Sequence, residues 1–196
     1  MAIIEIAVAT RARQSPWCGD QARWWKTGDA YLLSIVDGLG HGKNAAQVAE
    51  LALGLVEDRR NQTLEDIFAG CDAALRDSRG AAMALAVVEE GLHRLSYAAV
   101  GAIRAMAVLA GRNVRLPATP GIVGGGYKKL KVQTLAFAGG DTLIVSTDGL
   151  ARSINAAACI VVAGGDAQAL ADRILNRFAS GSDDAAVVVM QKTAKQ

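Results

Sequence analysis

The chain has 196 residues, 52% of them apolar and 20% charged, with a formal net charge of +2. That length suits one domain, read here as residues 1–196, with a core that needs no staple. The near-neutral balance without a basic block argues against dedicated nucleic-acid binding, and no apolar run reaches the ~18–20 residues that span a bilayer.

Cys18, Cys71 and Cys159 lack metal-ligand spacing, and the histidines are only His41 and His93. A Cys/His zinc site is therefore not expected. So few cysteines suit a reducing compartment, and a cytoplasmic location is expected. In MAIIEIAVATRAR the charge follows the apolar stretch, which reads as a first strand and not a signal peptide.

Ile3–Ala9 and Ala30–Val36 read as strands, the second running into Asp37. Ala45, Val48, Ala49, Ala52, Leu55 and Val56 then recur at helical spacing. A second helix follows a Thr63 cap, with Leu64, Ile67, Phe68, Cys71, Ala74 and Leu75 on one stripe, where Cys71 fills the core. AAMALAVVEEGLHRLSYAAVG reads as two strands turning at Glu90–Gly91, and IRAMAVLAGRNVRL as two more turning at Gly111–Arg112.

Pro117–Tyr127 is a loop on its Pro and Gly content, and Lys128, Lys129 and Lys131 read as a solvated edge. LKVQTLAF and DTLIVST are strands around Gly139–Gly140. A last amphipathic helix follows Asp166, and AAVVVM is a final apolar strand. Paired helices, a strand meander and a single late helix do not alternate as in a doubly wound sheet. The class is α+β, with antiparallel sheets and helices packed outside.

SIVDGLGHGKNAAQVAE, from Ser34 to Glu50, holds the chemistry. A phosphate loop would need a glycine where Asp37 stands and a hydroxyl where Asn44 stands, and a dinucleotide fingerprint fails at Lys43. An aspartate at a strand end suits a metal better, because glycines after it let the chain turn sharply and present a carbonyl beside the carboxylate. Mg²⁺ and Mn²⁺ favour such all-oxygen company. CGD supplies Asp20, STDGL repeats the strand–Asp–Gly design at Asp148, and GSDDAAVVVM places Asp183 and Asp184 before the last strand. Asp and Gly are common in turns, and for any one site that plainer reading wins. The recurrence favours a metal centre.

CGD, DGLGHG with its helix, GDTLIVSTDGL and GSDDAAVVVM, in that order and spacing, resemble the metal-dependent serine/threonine protein phosphatases of the PP2C type. The likeness is strongest to their short bacterial branch, the stage II sporulation E-type domains and stressosome feedback phosphatases. It implies two packed antiparallel β-sheets flanked by α-helices, with a centre of two divalent ions, Mn²⁺ or Mg²⁺. Asp37 would bridge both ions, Gly38 would offer its carbonyl, Asp20 would lie near the second ion, and Asp148 and Asp183 would complete the first. Asp37 and Asp148 are thus the expected catalytic positions.

The family pattern puts the ligand at Asp183 and tolerates an amide at Asp184, whose side chain faces away or caps a turn. The implied substrate is phosphoserine or phosphothreonine on a small regulatory protein, such as a stressosome scaffold subunit, with neither nucleic acid nor membrane as a partner. The helix pair from Lys43 to Ser78 is a surface through which partners would adjust the site. The alternative is a non-catalytic module of the same fold that binds a phosphorylated partner; a lost metal aspartate would signal it, and none is lost.

Some positions depart from the pattern. Leu39 stands where larger members have a histidine, leaving His41 open between a general acid and a turn residue. Arg11, Arg13 and Arg23 are candidates for a phosphate contact. Ala186 replaces a customary hydroxyl, which weakens a supporting hydrogen bond. Cys18 reads as a small packed residue, not a nucleophile. Trp17, Trp24 and Trp25 are open between core and substrate groove, with the core expected for at least one.

Overall fold

In the computed structural model, which describes residues 3–13, 16–151 and 154–193, the first strand β1 (Ile4–Arg11) is followed by a hairpin of β2 (Asp20–Thr27) and β3 (Ala30–Gly38). The helix pair is α1 (Lys43–Asp58) and α2 (Leu64–Ala74). Thr63 caps α2 as expected, its side chain accepting the N–H of Asp66. Four strands follow, β4 (Ala81–Glu89), β5 (Arg94–Val100), β6 (Arg104–Leu109) and β7 (Arg112–Leu116). Beyond them lie β8 (Gly121–Ile122), β9 (Gly126–Tyr127), β10 (Gln133–Ala136) and β11 (Thr142–Ser146). The chain then forms α3 (Ala156–Ala163), α4 (Ala167–Phe178) and β12 (Ala185–Lys192).

Four points correct the sequence reading. DQARWWKT is a strand, so Ala30–Gly38 is the third and not the second. The β6–β7 turn is Ala110–Gly111, because Leu109 pairs with Arg112. The loop 117–127 contains a small hairpin, β8 with β9. AAACIVVA forms α3, begun by Asn155, whose side chain accepts the N–H of Ala158, and ended by left-handed Gly164.

Two five-stranded antiparallel sheets result, in the orders β1-β12-β11-β6-β7 and β10-β5-β4-β3-β2. Leu33, Ile35, Ala84, Tyr97, Val145 and Val188 pack between them. The helix pair covers the outer face of the second sheet, where Leu53, Val56 and Phe68 meet Val36, Met83 and Leu85. Helix α4 covers the first sheet with Leu170 and Ile174 against Val187 and Val189. AAVVVM lacks polar alternation because β12 is buried on both faces, Val187 and Val189 toward α4 and Ala186, Val188 and Met190 toward the other sheet. Each of the buried valine and methionine side chains contributes on the order of 1.5–3 kcal/mol.

Side chains on both flanks of β12 also tie the sheets together. At its far end the buried Lys192 donates to the carbonyls of Glu90 (3.2 Å) and Phe137 (3.4 Å) and lies 2.9 Å from Nδ1 of His93. Among the described residues no helix is long and apolar enough to cross a membrane.

Candidate metal centre

β2 and β3 pair antiparallel with Asp20 directly opposite Asp37. The other sheet brings β11 and β12 to the same end, where the Thr147 N–H binds the Ala186 carbonyl at 3.1 Å just before Asp148. The charges of both Asp148 and Asp183 reach Asp37. The four aspartates expected from the sequence thus gather where the two sheets meet. Asp20 is buried, Asp37 half-buried, and Asp148 and Asp183 are exposed.

Close backbone approaches explain both Asp-Gly steps. A Cβ on Gly38 would lie 2.2 Å from the carbonyl oxygen of Ala45 in α1, and one on Gly149 would lie 1.8 Å from the carbonyl of Asp184. The Gly38 N–H also binds the Gly19 carbonyl at 3.1 Å, fastening the loop before Asp20 to the residue after Asp37. The glycines behind Asp37 therefore serve the packing of strand, loop and helix and leave the carboxylate at the sheet end.

Burial raises the pKa of Asp20, and the charge of Asp37 raises it further, while the Thr147 hydroxyl partly offsets both. Asp37 is raised by burial first, then by Asp148 and Asp183. Carboxylates packed this way are short of positive charge, and an oxygen-only donor set fits a hard divalent cation. Among the described residues no three acidic, His or Cys side chains already form a cage.

Asp183 and Asp184 part company. Asp184 is buried and accepts the backbone N–H groups of Arg13 and Gly19, each at 2.7 Å, while Oδ1 of the exposed Asp183 accepts the N–H of Asp184 at 2.9 Å. Asp184 is thus the residue whose role was least visible in the sequence. Thr147 is the other, fully buried, its hydroxyl accepting the Ala186 N–H at 3.0 Å beside Asp20. Its hydroxyl directly before an Asp-Gly step was the available signal. Ala186 takes part in that contact through its backbone, so the missing hydroxyl there costs no bond to Thr147.

The remaining candidates are dispersed. Arg11 binds Asn176 at 2.5 Å, and Arg23 grips both oxygens of Glu50. Arg13 contributes its backbone and leaves its side chain exposed. His41 is exposed. Cys18 donates its thiol to the Asp20 carbonyl, and burial pushes its pKa up to about 11. Trp17 and Trp24 are exposed, whereas Trp25 packs under the helix pair. A cavity of about 420 Å³ lined by Ile103, Met106, Leu116 and Ile144 lies behind the Asp148 loop and offers no carboxylate.

A family model described as Stage II sporulation protein E (SpoIIE) matches residues 27–193. The chain belongs to the SpoIIE family. Phosphoserine phosphatase RsbX of Bacillus subtilis (strain 168) is 28% identical over 135 residues, 68% of this chain and 67% of that protein. A crystal structure of RsbX in complex with magnesium shares the fold at a TM-score of 0.84, with 21% identity over 98% of this chain and 100% of the other. A solved chain described as "The bacterial stressosome: a modular system that has been adapted to control secondary messenger signaling" matches with a TM-score of 0.92 and 31% identity, over 96% of this chain and all of that one. The PP2C phosphatase domain of SpoIIE from Bacillus subtilis matches with a TM-score of 0.78 and 18% identity, over 96% of this chain and 63% of that one. This SpoIIE-family chain is a PP2C-type phosphatase with the expected pair of antiparallel sheets and flanking helices.

Proposed function

We propose that this phosphatase removes phosphate from phosphoserine or phosphothreonine on a small regulatory protein, using Mn²⁺ or Mg²⁺ held by Asp20, Asp37, Gly38, Asp148 and Asp183. The observation that carries the reading is the facing pair Asp20 and Asp37, with Asp148 and Asp183 acting on the same carboxylate from the other sheet. Divalent ions there would supply the charge that acidifies an attacking water and neutralises the phosphoryl oxygens. Asp37 stands between its neighbours from both sheets and would hold the ions from the middle of the set, with the Gly38 carbonyl following it. Asp148 and Asp183 approach from the solvent side, where substrate also arrives. Thr147 orients Asp20, and Asp184 holds the loop that leads to it.

A stressosome or partner-switching protein is the proposed substrate. Support comes from the 31% identical chain of the stressosome work and from RsbX, named a phosphoserine phosphatase. Cytoplasmic residence belongs to the same reading and agrees with three free cysteines. The test is phosphate release from a generic aryl phosphate with Mn²⁺ or Mg²⁺, before and after chelation. Release that depends on the ion is expected; release undiminished by exhaustive chelation would sink the metal assignment.

A further inference from the structure

We infer that Arg79, Lys43 and Trp17 form a recognition rim around the metal centre, which selects substrate segments carrying acidic residues beside the phosphorylated side chain. The inference rests on the phosphatase reading and extends it to the protein substrate. Arg79 lies against the loop that follows Asp37. A Cβ on Gly40 would stand 2.6 Å from its Nη1, so a bare glycine makes room for the guanidinium. The Leu39 N–H binds the Gly80 carbonyl at 3.0 Å, so the segment carrying Arg79 is fastened to the segment carrying Asp37.

On another side of the same loop, the Lys43 ammonium sits 5.8 Å from the ring centroid of Trp17, which is 48% exposed three residues before Asp20. An exposed tryptophan with a cation over it offers contact area at little entropic cost.

Pairing sets these cations apart from Arg11, Arg23 and Arg104. Arg11 is held by Asn176, Arg23 by Glu50 and Arg104 by the carbonyl of Leu150. Arg79 and Lys43 are exposed and form no ion pair among the described residues. Beside Arg79 runs a groove of about 370 Å³ lined by Asn44, Gln47, Val48, Leu51 and Asp77. Asp77 forms no ion pair with Arg79, which leaves the guanidinium available. The Arg79 guanidinium and the Lys43 ammonium place unpaired positive charge where a segment would enter along the rim, which favours acidic residues there.

The experiment measures fluorescence anisotropy of labelled peptides binding to the full chain with Mn²⁺. Each peptide carries a non-hydrolysable phosphonate in place of phosphoserine, flanked by Asp or by Asn. Wild type is expected to hold the Asp-flanked peptide about tenfold tighter, a preference that shrinks with salt. Arg79→Glu and Lys43→Glu should each bring the ratio toward one, and Arg79→Lys should retain part of it. A wild-type ratio near one, or a ratio unmoved by both charge reversals, overturns the inference. Phosphate release from an aryl phosphate by wild type is followed alongside; its failure would strike the phosphatase reading, while the binding ratio still judges the rim.

Discussion

The carboxylate of Asp184 binds the N–H of Gly19 at 2.7 Å, joining the residue that precedes β12 to the residue that precedes Asp20. Its other oxygen takes the N–H of Arg13. Adjacent aspartates therefore have separable duties, and their amides should fail differently. Asp183→Asn is expected to cost at least about a hundredfold in metal-dependent phosphate release with little change in melting. Asp184→Asn turns an NH₂ toward one of two backbone donors and should destabilise by about 1–3 kcal/mol. Paired turnover and thermal melts decide: an Asp184→Asn protein that melts like wild type but is inactive would show the ligand to be one residue later.

Asp37→Asn should abolish turnover and stabilise the metal-free protein. The folded pKa values of Asp20 and Asp37 are raised above their ordinary values, chiefly by burial. The folded protein then keeps protons that the unfolded chain releases, so metal-free stability falls as pH rises from the carboxylate range toward neutrality. Melts in chelator should show wild type losing stability between about pH 5 and pH 8, with Asp37→Asn losing less and melting about 2–6 °C higher at the upper end. Parallel pH profiles for the two proteins would falsify this assignment of the repulsion.

Two glycines offer opposite outcomes. Gly149→Ala drives a Cβ into the Asp184 carbonyl and should cost at least about 2 kcal/mol, with activity falling as Asp148 is displaced. Gly54 lies inside α1 with nothing within 4 Å of where a Cβ would stand. Gly54→Ala should stabilise by about 0.5–1 kcal/mol through helix propensity alone. Denaturant midpoints for both variants check the contrast; a stable Gly149→Ala would mean that the loop relaxes freely.

Cys18 should prove chemically quiet despite its place beside Asp20. With the pKa up at about 11, only on the order of one thiol in a thousand is ionised near pH 8. Cys18→Ala is expected to keep the rate within about threefold, and iodoacetamide should label native protein far more slowly than unfolded protein. Rapid labelling coupled to loss of activity would contradict this.

The parts of the fold legible in the sequence were those with both a period and a stop signal. Thr63 and Asp166 announced α2 and α4, and their side chains do accept the third N–H beyond them. β2 escaped because DQARWWKT is an edge strand with mixed exposure, so neither clean alternation nor an apolar run marks it. α3 escaped because CIVVA is β-branched and its helical face has no polar contrast; the caps Asn155 and Gly164 were the surviving signal. At the candidate site, the aspartates show in the sequence because each follows or precedes a strand. The supports do not, since Thr147 and Asp184 act on residues 39 and 165 positions away.

The ends of β12 carry opposite charges put to opposite uses. Its leading side offers a carboxylate to two N–H groups from the segment between β1 and β2. Its trailing side offers an ammonium to carbonyls of the facing sheet's connections. A strand pinned at both ends behaves like a tie rod: neither sheet can slide along it without breaking charge-assisted hydrogen bonds at one end or the other. The offset along the strand direction between the two aspartates on one sheet and the two on the other is therefore held in part from the far end of β12, and removing the Lys192 ammonium is expected to loosen it.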